Sequence, residues 1–385
     1  MTILPIRRAH SFEMDARKAV LEFHAAVSQP DMQLVIFFCS TNYDLDVLAA
    51  EMRRLFVGVQ VVGCTAAGEI GPSGYLKHSL SGASFPTAIC KVVSGRLDEL
   101  QDFDFYKGHE FTQALMQKLR GKVADAGLKN SFALMLIDGL SIREELVVHA
   151  FQHALDNIPL VGGSAADNQE FLCAQVYADG NFHSASAALI LINTCLPFRV
   201  FQSQDFISDQ EQMVVTQADT ARRIVREING RPAAQEYARL AGVSVADLHS
   251  YHFASLPVVV MVDGVEYVRG IQKTESDGSL TFLCAIEGGL VLRIAHRVDL
   301  VSNLEQTFSA IKAAIGKPQL VLGFDCFQRR MEIEQMGIKD TVGKIFQDNN
   351  TIGFNSYGEQ IHGMHVNQSL TGIAIGVART AFENQ

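Results

Sequence analysis

No apolar run in this chain approaches the roughly 18–20 residues that a membrane-spanning helix needs. The longest, Ala185 to Ile192 and Leu256 to Val262, have strand length and read as buried strands. The opening stretch MTILPIRRAHSF has two arginines but no apolar run of signal-peptide length behind them. These absences predict a cytoplasmic protein with no membrane partner. Cysteine is sparse and unpatterned: seven residues, an odd count, with no C-x-x-C. That argues against a disulfide framework or a cysteine-rich zinc site. Basic charge is also short, with Lys+Arg 32 against Asp+Glu 42 and a formal net charge of −10. An acidic surface repels phosphate backbones, so no nucleic-acid partner is expected. The familiar catalytic signatures are missing as well: no G-x-G-x-x-G after a strand, no G-x-x-x-x-G-K-[ST], no H-E-x-x-H and no G-x-S-x-G. Ser164 lies among glycines in GGSAAD, but neither it nor Cys64 has a base nearby in sequence, so the chain does not read as an enzyme. His149 and His153 lie four apart on one helix face with no carboxylate at a telling distance, and His362 and His365 form an equally weak pair.

What is present is apolar and alternating. Hydrophobic residues make up 48% and charged residues 19% of 385 residues, enough for about two domains with sizeable cores. In the first 200 residues, short apolar runs such as LVIFFCS and FALMLIDGLS alternate with helical spacing. Helices are expected at Phe12 to Val27 and Tyr43 to Leu55. Two more are expected at Phe111 to Ala126, closed by Gly127, and at Ile142 to Leu155, with Ser141 and Glu144 as a capping box. After a polar stretch around SQDFISDQEQ, VVTQADTARRIVREING reads as a hairpin. Pro232 opens a helix that Gly242 ends, and LPVVVMVDGVEYVRGIQ, SLTFLC and LVLRIA read as strands. The expected fold is α/β (α+β): two domains, 1–215 and 216–385, each with mixed β-sheets flanked by helices.

One pattern recurs. VVGCTAAGE (Val61 to Glu69) and LVGGSAADN (Leu160 to Asn168) share a β-branched residue, Gly, one variable residue, Ser or Thr, and two alanines before an acid. The two copies mark similar strand-to-loop corners, where Gly allows close backbone approach and free amides offer hydrogen bonds to something small. With them stand GFNSYGEQIHGMHVNQSLTG near the C-terminus, INGRPAAQEYARL and LGFDCFQRRMEIE. In these motifs the chain resembles the FIST family over about residues 33 to 378. The resemblance implies a sensory, ligand-binding role in signal transduction, with small molecules such as amino acids as ligands.

RRMEIE together with MHVNQ resembles the stand-alone bacterial members, some of which are haem proteins that sense nitric oxide. Those members act through a cytoplasmic histidine kinase on cyclic-di-GMP and biofilm behaviour. Covalent c-type attachment is excluded without Cys-x-x-Cys-His. The haem reading takes His365 as first choice of axial iron ligand, then His183 in DGNFHSASA, then His252 in SYHFASLP. The haem-free alternative is a sensor for an amino acid or similar metabolite. Tyr357, Glu359 and Asn367 would then face Thr65, Ser164 and Asp167 across a cleft between domains. Expected partners are a small-molecule ligand (nitric oxide or an amino acid) and a histidine kinase, with homo-oligomerisation left open.

Overall fold

The computed structural model describes residues 5–378, residues 124 and 263 excepted. Three stretches of chain fold alike. The first comprises β1 (Arg7–Ser11), α1 (Ala16–Val27), β2 (Met32–Ser40), α2 (Leu45–Leu55), β3 (Gln60–Ala66), a hairpin of β4 (Glu69–Gly71) and β5 (Gly74–Leu76), and β6 (Leu80–Pro86). The second comprises β7 (Cys90–Leu97), α3 (Phe105–Arg120), β8 (Ser131–Asp138), α4 (Glu144–Leu155), β9 (Leu160–Ala165), a hairpin of β10 (Val176–Ala178) and β11 (Asn181–His183), and β12 (Ala187–Thr194).

The third begins with β13 (Phe198–Ser203) and is then interrupted by an inserted domain. The insert holds β14 (Phe206–Asp219), β15 (Ile224–Ile228), β16 (Arg231–Pro232), α5 (Ala233–Ala241), α6 (Ser250–Ser255), β17 (Val258–Val262), β18 (Val265–Arg269), β19 (Ile271–Thr274), β20 (Leu280–Phe282) and β21 (Val291–Arg297). The unit resumes with α7 (Leu300–Ile315), β22 (Leu320–Cys326), α8 (Phe327–Gln335), α9 (Lys339–Asp348) and β23 (Thr351–Ser356). A hairpin of β24 (Glu359–Ile361) and β25 (Met364–Val366), then β26 (Leu370–Ile375), completes it.

In every unit the central strand (β2, β8, β22) runs parallel to the strand after its crossover (β3, β9, β23). It runs antiparallel to the last strand (β6, β12, β26), which pairs with the first (β1, β7, β13). A parallel pair needs a long crossover, and α2, α4 and α8 with α9 supply it. Each hairpin leaves its own unit: β4 pairs with β23, β24 with β9, and β10 with β3. The exchange is cyclic, so three six-stranded sheets close into a ring with approximate three-fold symmetry. The inner faces share one apolar core in which Phe38, Leu134, Leu136, Phe324 and Phe354 meet. The helices cover the outer faces with separate clusters around Phe23, Phe151 and Phe308. Burial on both faces is why the central strands are unbroken apolar runs rather than alternating ones.

The insert folds around its own core of Met213, Val225, Tyr237, Phe253 and Leu292. It is clasped to the second unit by Arg223, whose guanidinium donates to Glu144 (2.6 Å), Glu145 (2.5 Å) and Leu283 O (2.7 Å).

Mixed sheets flanked by helices are therefore what the chain forms. Gly242 ends α5 in the left-handed region, as its position suggests. Residue 215, the boundary expected from the sequence, lies inside β14. Two helix expectations need correction. α3 begins at Phe105, because Asp104 caps it by accepting from Lys107 N–H (2.9 Å), and it ends at Gly121 rather than Gly127. α4 has no capping box. Ser141 Oγ accepts from Arg143 N–H (3.3 Å), and the Glu144 carboxylate turns inward to Arg223. A buried guanidinium holds a carboxylate more firmly than an exposed backbone N–H.

Candidate functional site

The strands β3, β9 and β23 end in three corners that meet on the three-fold axis. Backbone bonds link them in a ring. Ala67 N–H donates to Asn355 O (3.0 Å), Tyr357 N–H to Ser164 O (3.2 Å), and Ala166 N–H to Thr65 O (3.0 Å). Three bonds return: Asn355 N–H to Gly68 O (2.7 Å), Ser164 N–H to Gly358 O (2.8 Å), and Thr65 N–H to Gln175 O (3.0 Å). GFNSYGE is thus a third copy of the corner, which the two-copy sequence pattern missed. Its signal was present as glycine at Gly353 and Gly358 with Glu359, matching Gly63, Gly68 and Glu69, and as SLTG matching SLSG.

The matching acids do matching work. Glu69 Oε2 accepts from Ser79 N–H (3.2 Å) and Oγ–H (2.8 Å). Glu359 Oε2 accepts from Ser369 N–H (3.2 Å) and Oγ–H (2.9 Å). Each clamps the strand that returns from its hairpin. Both side chains are fully buried, and burial pushes Glu69 up to about 7 and Glu359 up to about 8.

The other five residues expected at the site, Thr65, Ser164, Asp167, Tyr357 and Asn367, lie at or beside the axis, and all are buried. Asp167 accepts from the backbone N–H groups of Glu170, Phe171, Leu172 and Cys173 and from the Tyr357 hydroxyl. Against burial, which would raise it, these donors hold Asp167 below its usual value. Thr65 Oγ1 accepts from Gln175 N–H (3.0 Å), and Ser164 Oγ accepts from Gln360 Nε2 (2.8 Å). Asn367 Oδ1 accepts from Gly270 N–H of the insert (3.1 Å). The structure brings these residues together, but their polar atoms are spent on the protein: Tyr357 on Asp167, the others on neighbouring backbone and side chains. They form the keystone of the ring rather than the lining of a cavity.

The cleft lies beside them. Between the first corner and the loop after the second, a space of about 390 Å³ is lined by Gly68, Glu69, Lys77, His78, Asn42 and residues 168–170. Asn168 Nδ2 donates to Asn42 Oδ1 (2.6 Å), and Asn42 Nδ2 contacts His78 Nδ1. Lys77 is mostly exposed, 3.8 Å from Glu334, which also pairs with Arg330 (2.7 Å). Arg330 stacks over Tyr75 and donates to Asn355 Oδ1 (3.2 Å), so RRMEIE serves the junction of the third and first corners. Lys77, His78 and Asn42 sit in loops, where no pattern in the sequence singles them out.

The three histidines are separate. His365 is buried, with Nδ1 3.1 Å from Gln360 Nε2 and no partner for Nε2 among the described residues. Its ring lies so close to the Gly358 backbone that a Cβ there would sit 2.6 Å from Nε2. Burial lowers its pKa, while Glu145 and Glu144 act the other way. A haem needs an apolar slot at the ligating nitrogen; backbone and charged groups surround this one, so the residues at His365 do not fit a haem. His183 has both nitrogens engaged, by Arg96 Nη1 (2.9 Å) and Ala178 O (3.2 Å). His252 keeps an unpartnered Nδ1 but lies on α6 of the insert, ring to ring with His249 at 4.3 Å. Among the described residues, no group of three or more His, Cys, Asp or Glu is placed to hold a metal ion, and no helix is long and apolar enough to cross a membrane.

Comparison with known proteins agrees with the corner motifs. No curated protein matches the chain. The FIST N domain matches residues 33–231 and the FIST C domain residues 233–362. FIST domains are sensor domains of signal transduction that bind small ligands such as amino acids, and they are not catalytic domains. With both of its domains present in order, the chain belongs to the FIST family.

Proposed function

We propose that this protein is a sensor that binds a small zwitterion, an amino acid or a close relative, in the cleft between the first and second corners. We further propose that it reports occupancy to a partner histidine kinase. The observation that carries the reading is the cleft itself: about 390 Å³, with Lys77 on one wall and Glu170 on another. Cationic and anionic groups facing one small volume suit a ligand with both charges. The loop that lines the cleft also places Phe171 flat on Tyr357 at 4.3 Å, with Phe327 edge-on at 5.6 Å. Tyr357, Phe327 and Leu283 of the insert share one apolar cluster. A ligand that reshapes residues 168–170 therefore acts on the insert through Phe171, and the insert, the unit outside the three-fold ring, carries the change to a partner.

Thermal-shift and calorimetric titration with the twenty amino acids tests the ligand. At least one raises Tm, and Lys77→Ala and Glu170→Gln each weaken its binding about tenfold or more. If no amino acid shifts Tm, the reading is wrong. Kinase autophosphorylation with and without the ligand-loaded protein tests the partner. Haem titration followed by absorbance tests the haem reading, for which the residues around His365 offer no slot.

A further inference from the structure

The three hairpin tips occupy equivalent places. Gly74, Gly180 and Gly363 lie in the left-handed region at φ +87, +86 and +81, and each rests on a helix of a neighbouring unit. Two of these seams are filled. Gly74 meets the Gly343 backbone of α9, where a Cβ on Gly74 would lie 3.0 Å from Gly343 Cα. Gly363 meets Gln152 of α4, whose amide is spent on Asp156 O (3.0 Å), Ile158 O (3.0 Å) and Leu160 N–H (3.1 Å). At the third seam Arg53 of α2 reaches Gly180 O and Asn181 Oδ1 through Nη1 alone. Beside it opens a cleft of about 370 Å³, at the opposite end of β3 from the first.

Met52, Phe56 and Val62 give this cleft apolar walls. Its polar groups are few. Gln60 is engaged, accepting from Ser94 Oγ–H (3.0 Å) and donating to Val92 O (3.3 Å). Asp179 is paired with Arg96 (3.2 Å). Tyr177 is 1% exposed, its ring fixed edge-on by Phe37 (5.0 Å) and Phe182 (5.2 Å). Its hydroxyl has no hydrogen-bond partner among the described residues. Burial pushes the phenol up to about 12, against the pull of Arg53, so it remains a donor. With no protein acceptor, the hydroxyl reaches the solvent of the cleft and is a donor open to a ligand.

We propose that this cleft is a second small-molecule site, taking a monocarboxylate with a compact apolar body. The carboxylate accepts from the Tyr177 hydroxyl and from the guanidinium N–H groups that Arg53 does not use on the hairpin. The body packs against Phe56, Met52 and Val62. A guanidinium beside a phenol, with the nearby acid already paired, selects an anion over a cation.

The test is calorimetric titration of the full chain with benzoate and hexanoate, against benzylamine and hexylamine at matched ionic strength. Saturable binding of a carboxylate and none of the amines is expected. Tyr177→Phe weakens it about fivefold and Arg53→Gln about tenfold or more, while Lys77→Ala, in the other cleft, leaves it unchanged. The proposal is overturned by any of three results: no saturable heat with either carboxylate, wild-type affinity in both variants once circular dichroism and Tm show them folded, or an equal loss in Lys77→Ala.

Discussion

Replacing Glu359 by Gln should remove most of one pH dependence of stability. Glu359 is wholly buried, and burial raises its carboxyl from 4.5 to about 8. The folded chain therefore keeps a proton that the unfolded chain releases between pH 4.5 and 8. Stability rises with pH only where the unfolded state binds more protons, so here it falls through that window and levels off above it. A gap of this size corresponds to roughly 5 kcal/mol at most. Gln stays neutral. Its carbonyl oxygen can accept from Ser369 N–H and Oγ–H, and its amide can donate to Ser356 Oγ, which lies 2.6 Å from the other carboxyl oxygen in the native chain. Urea unfolding at pH 5, 7 and 9 should find Glu359→Gln within about 1 kcal/mol of the parent at pH 5 and about 3–5 kcal/mol more stable at pH 9. Glu69→Gln should behave alike over a narrower window that closes near pH 7. Parallel pH profiles for parent and Glu359→Gln would refute the reasoning, because the carboxyl would then be ionised or exposed.

Gly353→Ala should cost more than about 3 kcal/mol, since its methyl runs into the Gly323 carbonyl, 2.7 Å from the carbonyl carbon. Gly278→Ala, in a turn with nothing within 4 Å at φ +82, should cost only about 1 kcal/mol; similar losses in urea midpoints would contradict the packing. Residues 1–231 expressed alone lose β23 as partner of β4, β24 as partner of β9 and β26 as partner of β13. Exposed strand edges should make that fragment associate on size exclusion, and co-expression with residues 232–385 should restore a soluble complex. A folded monomer of 1–231 with a cooperative melt would disprove the closed ring.

The alternation of strands and helices, the α5 boundaries and the two alanine corners were legible because each is a local pattern. The hairpin exchange was not. Strands of three residues, such as β4, β10 and β24, are too short to show a period, and their partners lie far along the chain. The third corner was obscured because Asn355, Ser356 and Tyr357 replace Thr65, Ala66 and Ala67. Each corner faces a different neighbour, and only the glycines and the clamp residues do the same work. Ser141 and Glu144 have the spacing of a capping box, yet Arg223 takes the glutamate, a contact that local spacing does not report. At the site, Thr65, Ser164, Asp167, Tyr357, Glu359 and Asn367 were found as a group because they sit on motifs. The partners that occupy their polar atoms were hidden, and so was the cleft beside them.

The symmetry itself separates scaffold from signal. Where the units match, the residues close the ring: Glu69 with Ser79 and Glu359 with Ser369 make the same clamp, and the six corner bonds follow one pattern. Where they differ, the second unit replaces the clamp with a loop curled around Asp167, and the third carries the insert. These two departures meet. Phe171 of the loop packs on Tyr357 and Phe327, and Arg223 and Ala285 of the insert bind Glu145 of the second unit. A sensor needs a frame that stays and a part that moves. Three sheets sharing strands in a cycle resist deformation at any one seam, so a ligand bound in the proposed first cleft would do its work on the loop and, through it, on the insert.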